Sequence, residues 1–130
     1  MPAKPSHAPF RLLFVDDEPG ILNALKRVFR KEGYEINVAS SGEEALRFLD
    51  AHPVDLILSD YNMPALNGLA FFAKVRERAP RTVRILLTGL GGAAEFDKAI
   101  EEGSISFALQ KPWQDEQLRE IVQKQLQNRS

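Results

Sequence analysis

At 130 residues, with 44% hydrophobic and 27% charged side chains, the chain fits one globular domain that buries roughly two thirds of its unfolded surface. A formal net charge of −1 gives no basis for a nucleic-acid or membrane surface, and the lack of cysteine excludes disulfides, thiolate catalysis and cysteine-ligated metals. The only histidines, His7 and His52, are too few for an ordinary zinc site, and no apolar run approaches the ~20 residues of a membrane span.

Met1 to Pro9 carries three prolines and no apolar core, so it reads as a flexible arm rather than a secretory signal, and the cytoplasm is the default location. Residues 10–127 are expected to form the domain, and 128–130 a tail or the start of a linker. Phe10 to Val15 predicts a short buried strand running into Asp16-Asp17-Glu18. Pro19, which can open a helix because the first turn needs no amide donor, precedes Ile21, Leu22, Leu25, Val28 and Phe29 at helical spacing. Lys26, Arg27, Arg30 and Lys31 occupy the other side of that helix, and Gly33 is expected to cap its end. Tyr34 to Ala39 is a second strand. Ser40-Ser41-Gly42 then leads to Glu43 and Glu44, where negative charge suits a helix start, and Ala45, Leu46, Phe48 and Leu49 form the apolar face before Pro53.

Val54 to Leu58 is an apolar run with the composition of a strand buried on both faces, ending at Ser59-Asp60 and the turn residues Asn62 and Pro64. Gly68 sits before a third helix with Leu69, Phe72, Ala73 and Val75 inward, stopping near Pro80. Val83 to Leu87 is a fourth strand ending in Thr88-Gly89. After Gly91-Gly92, Ala93 to Glu102 predicts a fourth helix with Phe96, Ala99 and Ile100 inward, capped by Gly103. Ser104 to Gln110 is a fifth strand ending at Lys111-Pro112-Trp113, and Asp115 to Gln127 is a closing helix with Leu118, Ile121 and Val122 on one side. Five strand–helix alternations with short loops predict an α/β domain: a doubly wound five-stranded parallel sheet with flanking helices, in the flavodoxin-like order 2-1-3-4-5.

Ligands of such sheets bind beyond the carboxyl ends of the strands, and the order 2-1-3-4-5 makes strands one and three neighbours there. Asp16, Asp17 and Asp60 would then share a pocket, where crowded carboxylates call for protonation or a bound cation. All-oxygen ligands favour a hard cation, Mg²⁺ with Mn²⁺ as substitute. The Lys111 ammonium and Thr88 hydroxyl, added to a metal, suit the oxygens of a phosphoryl group, and a carboxylate such as Asp60 is an accepted nucleophile for it. Singly, each residue has a plainer reading: Asp16-Asp17 as a helix cap, Asp60 as an Asx-turn residue, Thr88 as a common strand terminator, Lys111 as a solvated cation. The set is more specific than its members because all of them fall, in order, at strand ends.

Leu13-Phe14-Val15-Asp16-Asp17-Glu18-Pro19, Asp55 to Gly68, Leu86-Leu87-Thr88-Gly89 and Lys111-Pro112-Trp113 together resemble the receiver domain of bacterial two-component response regulators, from about Phe10 to Gln127. The resemblance implies that Asp60 accepts the phosphoryl group, that Asp17 ligates Mg²⁺ directly and Asp16 through a water, and that the Asn62 backbone carbonyl completes the metal site. It implies further that Thr88 bonds the phosphoryl oxygen, that Lys111 pairs with it, and that the Lys111–Pro112 bond is cis. The donor would be a sensor histidine kinase or histidine phosphotransfer protein, and the receiver would catalyse its own phosphorylation and dephosphorylation rather than act as an enzyme on other substrates. Phosphorylation would switch the surface of helix four, strand five and helix five towards an output domain in cis or an effector in trans, with homodimerisation as one outcome. The short chain and the Gln-rich end, Gln123 to Gln127, fit a stand-alone regulator or a fragment from the front of a longer one, with the fragment favoured. In the family helix one contacts the kinase, which gives the Lys26–Lys31 side a reading beyond a solvated face; Trp113 is either packed on helix five or an exposed anchor.

One feature departs from the family pattern, and a second concerns self-hydrolysis. Receivers carry an aromatic residue three positions before the strand-five lysine; here that position is Ala108, and Phe107, one place earlier, should face the other side of the sheet. Leu90, two residues after Thr88, places an apolar group where a polar one would orient water, so Leu90→Glu is expected to shorten the phosphoryl half-life; equal half-lives in a decay assay contradict this. Three rival functions fit the residues less well. An aspartyl-phosphate phosphatase needs a second acid where Asn62 stands. A flavin mononucleotide module wants a Ser/Thr/Gly phosphate loop where Asp16-Asp17-Glu18 stands. A degenerate docking receiver would not keep the full acidic and basic set.

Overall fold

The computed structural model describes residues 9–89 and 96–128. Most of the expected arm, Leu90, Gly91-Gly92, the expected start of the fourth helix and the last two residues lie outside them. The elements are β1 (Arg11–Val15), α1 (Pro19–Val28), β2 (Glu35–Ala39), α2 (Gly42–Ala51), β3 (Leu56–Asp60), α3 (Gly68–Arg78), β4 (Val83–Thr88), α4 (Asp97–Glu101), β5 (Phe107–Gln110) and α5 (Asp115–Asn128). All strand pairs are parallel, in the order β2-β1-β3-β4-β5 that the sequence predicts.

Strand side chains alternate between two apolar layers, as the period of two demands. Leu12, Phe14, Leu56, Leu58, Ile85, Leu87 and Leu109 face the layer of α1 and α5, where Leu22, Leu25, Leu118 and Val122 meet them. Leu13, Val15, Ile57, Leu86 and Ala108 face the other layer, filled by Ala45 and Leu46 of α2, Phe71, Phe72 and Val75 of α3, and Phe96. The unbroken register Ile85↔Phe107, Leu86↔Ala108 leaves no bulge, so Phe107 packs on the α1/α5 side and Ala108 on the opposite side, as expected.

Several boundaries differ from expectation. β3 continues through Ser59 and Asp60 because Leu86 and Leu87 of β4 pair with them, so Asp60 is the last strand residue rather than the second beyond the strand. α1 stops at Val28 with Phe29 as C-cap; Gly33, at φ +82°, instead turns the chain into β2. In α3 the inward residues are Phe71, Phe72 and Val75, while Ala73 is exposed, since it lies away from the stripe that Phe71, Phe72 and Val75 define. β5 begins only at Phe107, Ser106 being held to Arg84 by a bond from its own amide to the Arg84 carbonyl (2.7 Å). Gly103, at φ +79°, follows α4 in the left-handed conformation expected of its cap.

Helix starts are anchored by side chains. Ser41 Oγ accepts the Glu44 amide (3.1 Å), and the Glu44 carboxylate accepts the Ser40 amide in return, a reciprocal cap on α2. Asn67 Oδ1 accepts the Ala70 amide (2.9 Å) and so starts α3. Between β3 and α3, Ala65 sits at φ +67°, where a Cβ is strained. Ala65→Gly is therefore expected to raise stability by about 0.5–1 kcal/mol, less the extra entropy glycine gives the unfolded chain, as read by urea unfolding; a loss would contradict it.

Candidate functional site

The site is built where β1, β3, β4 and β5 run out. β1 ends at Val15, and the chain turns at once: Asp16 is fully buried, its Oδ1 accepting the Glu18 amide (2.9 Å), which ties the carboxylate to the start of α1. Asp17 is exposed beside it. Asp60, 6% exposed, closes β3 next door. One carboxylate oxygen from each of Asp16, Asp17 and Asp60 falls within 4.8 Å of the others. This is the cluster the strand order predicts.

Lys111 reaches the acids from the end of β5. Its Nζ lies 2.9 Å from Asp60 Oδ1 and 3.5 Å from Asp16 Oδ2. Its amide donates to the Thr88 carbonyl (2.7 Å), fixing the lysine to the end of β4, and the Lys111–Pro112 bond is cis. Thr88 is buried as the last residue of β4, one place beyond Leu87, the partner of Asp60. Asn62 is exposed two residues past Asp60 in the β3–α3 loop.

The electrostatics follow from burial and crowding. Burial pushes the Asp16 carboxyl above its ordinary range, opposed by the Glu18 amide and by Lys111, and reinforced by the charge of Asp60. Burial works against the Lys111 ammonium, yet Asp60 and Asp16 outweigh it, and the net shift is upward, so Lys111 stays charged. Three acids against one ammonium leave a surplus of negative charge facing solvent through Asp17. An oxygen-only donor set of this kind fits a small divalent cation.

The structure thus brings Asp16, Asp17, Asp60 and Lys111 together, with Thr88 at the adjoining strand end and Asn62 on the loop above. Sequence reasoning missed two residues that hold this arrangement. Gly68 donates its amide to the Tyr61 carbonyl (2.8 Å), and a Cβ on it would lie 2.7 Å from the Asp60 carbonyl oxygen. Tyr61 itself donates to the Leu87 carbonyl (2.9 Å), which fixes the backbone just past Asp60. Neither role has a signal in composition, since both depend on how near two strands and a helix approach.

Three comparisons bear on the site. The response regulator receiver domain family model matches residues 12–123. The transcriptional regulatory protein GlrR of Escherichia coli is 38% identical over 117 residues, covering 90% of this chain and 26% of that protein. The chain thus spans about a quarter of the length of the curated relatives it matches first. Among solved structures, the signal receiver domain of an HD domain-containing protein from Pseudomonas fluorescens superposes with a TM-score of 0.85 at 32% identity, covering 92% of this chain and 96% of that one. A response regulator receiver domain protein from Clostridium thermocellum gives a TM-score of 0.82 at 28% identity, covering 91% and 94%. Sheet order, acid cluster and family match agree over the same residues, and the chain belongs to the response regulator receiver domain family.

Proposed function

We propose that Asp60 accepts a phosphoryl group from a phosphohistidine on a sensor histidine kinase or histidine phosphotransfer protein. A carboxylate oxygen of Asp60 attacks phosphorus, the P–N bond breaks, and the imidazole leaves with its electron pair and takes up a proton. The observation that carries this reading is Lys111 Nζ at 2.9 Å from Asp60 Oδ1, inside a three-acid cluster at the carboxyl end of the sheet. Before transfer Lys111 holds the nucleophile in place; after it, the same ammonium is placed to pair with a phosphoryl oxygen, and Thr88 to donate its hydroxyl to another. Asp17, Asp16 through a water, Asp60 and the Asn62 carbonyl are assigned to hold Mg²⁺, or Mn²⁺ in its place. When bound, that cation offsets the repulsion between the acids and the incoming phosphoryl oxygens.

The domain is a switch rather than an enzyme for other substrates, catalysing only the gain and loss of its own phosphoryl group. Its readout is assigned to the surface of α4, β5 and α5, acting on an output domain in cis, an effector in trans or a second copy of the chain. The exposed Lys26, Arg27, Arg30 and Lys31 around the end of α1 form the surface proposed for the kinase. No helix among the described residues is long and apolar enough to cross a membrane. The cytoplasm is the assigned location, on the strength of the proposed phosphohistidine donor.

The test is incubation with Mg²⁺ and acetyl phosphate, followed by intact mass. The expected result is a base-labile gain of one phosphoryl group, lost with a chelator and in Asp60→Ala. A gain that survives Asp60→Ala refutes the assignment.

A further inference from the structure

The strand face on which α4 packs carries an unusually small residue at the end of the sheet. Ala108 stands opposite Leu86 there, and the aromatic residue of β5, Phe107, lies on the other face. The layer is completed instead from α4's own side: Phe96, 5% exposed, stands immediately before Asp97 and shares the apolar cluster with Leu86 and Ala108. The α4 helix has no fully buried residue of its own, with Ala99 and Ile100 only half-buried. Phe96 is therefore the anchor that seats this end of the helix on the sheet.

Phe96 also meets the site. Its ring lies 5.2 Å, centroid to centroid, from the ring of Tyr61 at an interplanar angle of 53°. Tyr61 follows Asp60 directly, and its backbone is pinned on both sides, through its amide to Leu87 (2.9 Å) and through its carbonyl to Gly68 (2.8 Å). Backbone shifts at Asp60 are thus passed to the Tyr61 ring with little slack, and that ring bears on Phe96, the buried side chain at the start of α4.

We infer that the Tyr61–Phe96 contact carries the state of Asp60 to α4, doing so without any aromatic side chain from β5 on that face. The inference rests on Asp60 being the phosphoryl acceptor. Tyr61 and Phe96 are positioning residues: neither touches the phosphoryl group, and each acts through the other. Coupling between two sites is reciprocal and amounts to about fivefold or more in an equilibrium where it is real. Loss of the contact should uncouple the helix and leave the acid cluster able to bind.

The experiment uses the whole chain with Mg²⁺ and beryllofluoride, a non-hydrolysing phosphoryl mimic. Site filling is read by the ¹⁹F signal of bound fluoride, and the helix by hydrogen exchange of peptides covering 97–101. In the parent, filling the site should change exchange there by about fivefold or more. In Phe96→Leu, which keeps an apolar group, and in Tyr61→Ala, the ¹⁹F signal should persist while the change falls below about twofold. Tyr61→Phe, which keeps the ring, should restore the parent response. A filled site with an unaltered helix response in both Phe96→Leu and Tyr61→Ala overturns the inference, as does a filled parent site with no response. Absence of a bound signal in the parent, or its persistence in Asp60→Ala, instead overturns the acceptor reading and the inference with it.

Discussion

Gly68→Ala is expected to slow the proposed Mg²⁺-dependent phosphorylation of Asp60 by at least about tenfold and to lower stability by about 2 kcal/mol. A Cβ at this position would lie 2.6 Å from Leu86 Cδ1, 2.7 Å from the Asp60 carbonyl oxygen and 2.9 Å from Tyr61 Cα. The leucine methyl could yield, but the other two atoms are backbone of the segment that carries Asp60. Alanine is the better helix former by up to about 1 kcal/mol inside a helix, and less at the first position that Gly68 occupies. Overpacking costs about 1–3 kcal/mol, so the steric term wins. Relief of the clash must move α3 or the end of β3, and displacements near 1 Å in a reacting group cost about a hundredfold in unfavourable cases. Phosphorylation progress curves and urea unfolding read the two effects separately. Unchanged rate and stability would mean that the β3–α3 junction is far softer than its hydrogen bonds indicate.

The second large effect lies at the opposite end of the sheet. Arg84 is 6% exposed, the second residue of an otherwise largely apolar strand, with no carboxylate bonded to it among the described residues. Its guanidinium donates to four backbone carbonyls: Ser104 (3.1 Å), Pro80 (3.2 Å), Thr82 (3.0 Å) and Gly103 (2.9 Å). Its amide also donates to Ser106 Oγ (2.9 Å). One side chain thus joins the α3–β4 and α4–β5 connections. Burial lowers the pKa of Arg84, and nearby Arg76 adds to this, so holding the charge costs some stability. Against that stand four carbonyls that lose their donor together. Each orphaned buried group costs about 1–3 kcal/mol, and water can reach some of them. Arg84→Met, similar in length and without donors, is expected to lose about 3 kcal/mol in urea unfolding, and Arg84→Lys somewhat less because a point charge cannot serve four acceptors. A loss under about 1 kcal/mol for Arg84→Met would show that burying the cation cancels most of what its bonds contribute.

These two residues also show where sequence reading stops. The order of the strands was legible because each apolar run is short, each helix carries its stripe at regular spacing, and the connections are brief. The acid cluster was legible for the same reason: topology alone makes β1 and β3 neighbours, so Asp16, Asp17 and Asp60 had to meet. The opposite facing of Phe107 and Ala108 followed from the period of two, given an unbroken register. Arg84 was not legible, because an arginine in an apolar strand gives no hint of four carbonyls converging on it from two turns. Gly68 read only as punctuation before a helix, since its need for a bare α-carbon comes from Asp60 and Leu86 approaching in three dimensions. The end of β3 was misplaced by two residues because Ser59 and Asp60 are polar, and only pairing with Leu86 and Leu87 keeps them in the strand. Phe96 looked like ordinary core; its contact with Tyr61 spans a loop and a strand that no local pattern connects.

The central claim is that Asp60, and no other acid of the cluster, forms the acyl phosphate. Borohydride reduces an acyl phosphate, with loss of phosphate, to an alcohol, so an aspartyl phosphate becomes homoserine at the residue that carried it. Phosphorylating the chain with acetyl phosphate and Mg²⁺, reducing it, and mapping the peptides that span 12–26 and 55–68 should place homoserine at position 60 alone. Homoserine at position 16 or 17, or none in a chain that had gained a phosphoryl group, would contradict the account.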